Sequence, residues 1–228
     1  MLARIALKQA LQTEFVPALR GAGFRGTFPT WRLARDGHVA VVHVTSEGEG
    51  SHGSFQVMTA VVSPAWWAWK HECPHVTIFG SESQSGKERF TDGVYQRLLR
   101  RGSIMPASKS WEWGWEWEMT SVEDATLIAA DTTQSLVTKG IPKLLELMDP
   151  EVLLQAVTSG AIDEDLRLDR PGMKDMVLAA LLSDVGGKDL ERVCRRLDKW
   201  AGRAHSDLPL ATATWSRQRA AALSSPAP

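Results

Sequence analysis

Residues 111–118 read Trp111-Glu112-Trp113-Gly114-Trp115-Glu116-Trp117-Glu118. A β-strand turns successive side chains to opposite sides, so this period of two gathers the four tryptophans on one face. A helix would fan them over more than half its circumference. Tryptophan also favours strands, and the intervening glutamates suit the solvated side of a sheet. Four indoles of roughly 200 Å² each would expose about 800 Å², beyond the few hundred typical of monomer surfaces. Burying them contributes on the order of 20 kcal/mol gross, an upper bound because the unfolded chain already hides some of that area. The expectation is an inward-facing row roofed by helices, with one end, Trp111 and Trp113, available to line a pocket.

Upstream of this row, Leu7, Leu11, Phe15 and Leu19 recur every four residues and predict a helix over 2–20, kinked or interrupted by Pro17. Gly21 and Gly23 suit its stop. WRLARDGHVAVVHV (31–44) places Asp36-Gly37 between two extended runs, a signal for a type I′ hairpin. Apolar residues on both faces of 39–44 mark a central strand. Strands are also expected at 54–62 and 75–79, a tryptophan-rich connection at 63–74, a polar loop at 80–88 and a short helix at 90–102.

Downstream the pattern turns helical. Thr120 and Glu123 fit a capping box before 124–140, with Gly140 near a stop. Pro142 and Pro150 stand where first-turn prolines belong. A further helix is expected over 189–203, with Leu190, Val193, Cys194, Leu197 and Ala201 on one stripe. Strands followed by helices argue for an α+β fold: an antiparallel sheet of about five strands packed on helices, with a helical C-terminal region. The expected division is a sheet domain over 1–120, helices packed on it over 121–223, and a disordered tail over 224–228.

The chain has 228 residues and a net charge of −1, so no global field recruits nucleic acid or an anionic membrane. Cys73 and Cys194 make no disulfide framework. Arg4 and Lys8 interrupt the N-terminus before any signal-like apolar stretch, and VVSPAWWAW (61–69) is too short to span a bilayer. A cytoplasmic protein is expected.

Candidate chemistry is sparse. His71, Cys73 and His75 would share one side of an extended backbone and could hold zinc, but no second ligand pair stands at zinc-site spacing. GSESQSGKE (80–88) has five residues between its glycines where a phosphate loop has four, and Glu88 stands where that loop carries a hydroxyl. The acidic loop EGEGSHG (47–53) is a hairpin tip. Cys194 reads as a small core hydrophobe, and His43 as a hydrogen-bonded sheet residue. No catalytic constellation and no cofactor site assemble. Arg97, Arg100 and Arg101, and then Arg192, Arg195, Arg196, Lys199 and Arg203, form basic clusters; the second lies off the apolar stripe of its helix, a solvated face that would suit an acidic protein. Trp66, Trp67 and Trp69 cannot all point inward from one strand, which makes them candidate interface anchors.

An N-terminal helix ending in Gly23-Phe24, then Trp31-Arg32, VAVVHV, FQVMTAVV, RLLRRG and a tryptophan-rich strand together resemble a family of bacterial proteins classed only as a domain of unknown function. The resemblance spans roughly residues 3–150. It implies a compact α+β fold and no established activity, so no site residue is carried over. The row at 111–117 is richer in tryptophan than that family's double-Trp element, and the helices beyond 150 are an addition. Small bacterial proteins of this kind occur as partners of other proteins, immunity proteins beside toxins among them. The expected function is a non-enzymatic protein-interaction module whose partner is another protein. The alternative is a ligand-binding or hydrolytic protein with a pocket between the tryptophan row and the hairpin, using Trp31, Arg32, His43, Trp111 and Trp113.

Overall fold

The computed structural model describes residues 2–47, 53–74, 92–100, 103–106, 117–119, 124–162, 172–203 and 207–225. The expectations on 75–79, on the loops at 48–52 and 80–88, on the capping box, on Trp111, Trp113 and Trp115, and on residues 226–228 lie outside the described residues.

The N-terminal apolar spacing makes two helices, α1 (Leu2–Thr13) and α2 (Phe15–Gly21). The break falls at Glu14 (φ −122°, ψ −52°). Pro17 explains its place: proline has no N–H for the carbonyl of Thr13, and its ring crowds that carbonyl, so the interruption comes on the N-terminal side. Leu7, Leu11, Phe15 and Leu19 are nonetheless all buried. The stop is a left-handed glycine cap. Gly23 (φ 92°) donates its N–H to the Arg20 carbonyl at 3.0 Å, and Phe24 donates to the Leu19 carbonyl at 2.9 Å.

One antiparallel sheet follows: β1 (Arg25–Thr27), β2 (Thr30–Arg35), β3 (His38–Glu47), β4 (Gly53–Val62), β5 (Tyr95–Arg100), β6 (Ser103–Pro106) and β7 (Trp117–Met119). The strands run in the order β1-β2-β3-β4-β5-β6, and β7 pairs with the N-terminal end of β4. Five of the seven described strands are four residues or longer, matching the expected number. Asp36 (φ 49°) and Gly37 (φ 78°) form the hairpin turn, whose double positive φ is the type I′ signature. β3 is central, with Val41 and Val42 both fully buried on opposite faces.

The segment expected as a helix at 90–102 instead supplies β5. Tyr95 to Leu99 pair with Val61 to Val57, so the edge of β4 decides their state and the tertiary partner overrides local propensity. Gly93 permits the approach: a Cβ there would lie 2.6 Å from the Tyr95 carbonyl oxygen and 2.7 Å from the Ala60 Cβ. In β7, Trp117 pairs in register with Phe55, itself buried in the core. That end of the opening segment is strand, as expected.

The connection at 63–74 is a second correction, because residues 64–72 form a helix, α3 (Pro64–Glu72). Beyond the sheet come α4 (Asp124–Ser135), a π-helical turn at Leu136–Gly140 and α5 (Ile141–Leu147). Gly140 is not a stop; at φ −64°, ψ −59° the chain runs straight through it. Pro142 cannot bond the carbonyl four residues back, and the widened turn before it absorbs the defect, with the Ile141 N–H reaching the Leu136 carbonyl. α4 lies against α1, α2, β5 and β7, and α5 against β4. The remaining helices are α6 (Pro150–Ser159), α7 (Met173–Leu182), α8 (Gly187–Ala201) and α9 (Leu208–Ser224). Asp149 caps α6 through the N–H groups of Glu151 and Val152, and Gly160 (φ 83°) closes it. No described helix is long and apolar enough to cross a membrane. The fold is α+β with a helical C-terminal region.

Candidate functional site

α3 begins on a standard signal: the Ser63 hydroxyl accepts the Trp66 N–H at 3.1 Å, and Pro64 takes the first helical position. Three residues apart, Trp66 and Trp69 share one side of the helix and stack with centroids 4.5 Å apart and planes 18° apart. Both are buried, 7% and 3% exposed, in the main core. The Trp69 indole N–H donates to the Thr212 hydroxyl of α9 at 3.0 Å. Trp67 faces the other way, half-buried against Val39, Val41, Ala60 and Val62 on the opposite face of the sheet. The three expected anchors therefore divide. Trp69, with Trp66 stacked on it, ties α3 to α9, and Trp67 seals part of the second sheet face.

His71 follows Trp67 by one turn, and the two rings lie 4.1 Å apart. The extended backbone that would align His71, Cys73 and His75 is absent: His71 is in the last turn of α3, Cys73 is the residue that ends it with its thiol buried, and His75 lies outside the described residues. Burial pushes the Cys73 thiol up to about 11, against weaker opposing hydrogen bonds from Thr212 and Trp69. Cys194 is raised to about 11 for the same first reason, and its thiol donates to the Ala213 carbonyl at 3.7 Å. Burial thus favours the protonated thiol at both positions.

The candidate ligand residues also separate. Trp31 pairs with Val42, and its indole is 1% exposed in the main core, with Phe15 and Phe28 edge-on to it. Arg32 and His43 belong to the opposite face by alternation along β2 and β3. His43 Nδ1 shares a 2.7 Å hydrogen bond with Thr30 Oγ1, its cross-strand neighbour. Burial first, and then the Arg32 cation, hold its imidazole below the usual range, so it is neutral near pH 7. Trp31 therefore lines no pocket with Arg32 and His43. Trp111 and Trp113 lie outside the described residues.

α8 turns one side outward. Leu190, Val193, Cys194 and Leu197 bury its apolar stripe against α7 and α9, while Lys188, Arg192, Arg195, Arg196 and Lys199 are exposed. Lys188, Glu191, Arg192, Arg195, Arg196 and Lys199 line a groove of about 550 Å³. Neither this groove nor a smaller one at the β2–β3 turn, about 310 Å³ and lined by Arg35, Asp36 and Leu145 among others, has a described tryptophan in its wall. Ion pairs surround it. Arg196 grips Asp175 of α7 through Nε and Nη2, and Arg217 of α9 bridges Glu191 and Asp198. The Arg217 and Arg195 hydrogen bonds hold the Glu191 carboxyl below its usual range. The basic cluster was legible in the sequence; the groove, and the participation of Lys188 and Glu191, required the three-dimensional arrangement.

Residues 15–91 match the model of a family described as a domain of unknown function (DUF4304). The match runs from the first residue of α2 through β1–β4 and α3, a narrower span than the expected 3–150. Comparison with curated proteins and with solved structures found no match. The helices from α4 onward lie outside the matched segment.

Proposed function

We propose that the protein is a non-enzymatic protein-interaction module that works in the cytoplasm. One observation carries this reading: α8 is bound into the core along one side and turns a grooved, cation-rich side outward. Arginine clusters of this kind are common contact surfaces, where planar guanidinium groups meet carboxylates. The chemistry of the other candidates supports it as well, since both thiols are buried and raised, and the His43 imidazole bonds only a threonine hydroxyl among the contacts described above. Two free cysteines agree with a reducing compartment. An immunity-like role beside a toxin is one biological form such a module would take.

The test is capture of partners by the full chain in its own cells, followed by reconstitution from purified components. A stoichiometric complex that survives gel filtration is expected. A chain that elutes alone beside every captured candidate, or that turns over a panel of ester, phosphoester or glycoside substrates, would sink the reading.

A further inference from the structure

We infer that the outward face of α8 is the docking surface and that its occupant is an acidic helical segment of the partner. This rests on the interaction-module reading and gives it a site and a chemistry. Lys188, Arg192, Arg195 and Lys199 stand at i, i+4, i+7 and i+11, so they form one straight stripe of roughly 16 Å along the helix. All four are exposed. The groove they share with Arg196 holds five cations against one carboxylate, Glu191, on a chain whose net charge is −1. Glu191 is already engaged by Arg195 and Arg217.

The side chains of Lys188 and Lys199, the two ends of the stripe, make no ion pair or hydrogen bond among the described residues. Between them, Arg192 holds Asp189 at 3.1 Å and Arg195 holds Glu191 at 3.1 Å, each pair within one helix and largely exposed. Exposed pairs of this kind are weak and exchange partners readily. A helix bearing carboxylates at the same i, i+4, i+7, i+11 spacing repeats the cation spacing along its own axis, so one register would engage all four positions.

The alternatives fit less well. A nucleic acid would bring a continuous phosphate charge against Asp189, Glu191 and Asp198, which are interleaved with the cations, on a chain with no overall positive field. A membrane-bound helix embeds an apolar face beside its basic one, whereas the apolar face of α8 is committed to the core.

The probe is a fluorescent synthetic helix with glutamate at i, i+4, i+7 and i+11, read by anisotropy against the full-length protein. A scrambled peptide of the same composition, duplex DNA and anionic lipid vesicles serve as comparisons. Saturable binding is expected that weakens about tenfold from low to high salt, and about tenfold or more in the double variant Lys188→Glu, Lys199→Glu. The control Lys143→Glu, on α5, should bind as the wild type does, with circular dichroism confirming that both variants are folded. Absence of binding, equal binding of the scrambled peptide, indifference to the double reversal, or tighter binding of DNA or vesicles would each overturn the proposal. A native partner that held the double variant as tightly as the wild type would overturn the docking site while leaving the interaction module standing.

Discussion

Tryptophan and arginine are both enriched at contact hot spots, and two helices of this chain carry them with opposite fates. α3 carries three tryptophans in nine residues and is enclosed on two sides, by α7 and α9, where the Trp69 indole reaches Thr212, and by the second sheet face through Trp67. α8 spends its apolar residues on one narrow stripe and turns its cations to solvent. Apolar area where the sheet meets the C-terminal helices is consumed inside the chain. Charge cannot be buried without a partner, so it stays available at the surface.

The comparison is most exposed at Trp69. Trp69→Ala removes a buried indole, its stack on Trp66 and its hydrogen bond to Thr212 across to α9. The expected cost is about 3–5 kcal/mol, read as a lowered urea midpoint. A loss under about 1 kcal/mol would show that α3 does not hold the two parts of the chain together, and would break the contrast with α8. A smaller effect is expected from Ser63→Ala, which deletes the hydroxyl that caps α3 and leaves the Trp66 N–H unsatisfied. It should cost about 1 kcal/mol in the same measurement, with Ser63→Thr close to the wild type.

Much of the fold was legible wherever local chemistry decides it. Asp36-Gly37 fixes the hairpin because the turn requires two positive φ angles. The glycines after α2 and α6, and the Asp149-Pro150 start of α6, act through the same kind of local rule. α3 carried a local signal too, in Ser63-Pro64, but the tryptophans that follow favour strands and masked it. β5 gave no such warning: its strand state comes from the edge of β4, more than thirty residues earlier in sequence, which no window along the chain contains. Pro142 did mark a defect, yet helix packing on either side carried the chain through it as a π turn. The candidate site divided for a related reason. Alternation along β2 puts Trp31 and Arg32 on opposite faces, so neighbours in sequence are separated by the thickness of the sheet. The basic positions of α8, by contrast, were readable because amphipathic spacing alone orients a surface helix.

The smallest expected effect sharpens the contrast from the other side. Arg192 is 70% exposed in its side chain, and its partner Asp189 is 69% exposed on the same helix. Two long side chains in water gain little from pairing, because solvent screens the attraction and fixing both rotamers costs entropy. Arg192→Ala should therefore shift stability by no more than about 0.5 kcal/mol, and alanine's helix propensity offsets part even of that. The same substitution should weaken the acidic probe helix, because Arg192 lies within the stripe between Lys188 and Lys199. Stability and binding would then separate at α8, whereas at Trp69 stability alone should collapse. A stability loss at Arg192 comparable to that of Ser63→Ala would mean that this cation serves the fold, and the distinction between the inward and the outward helix would lose its basis.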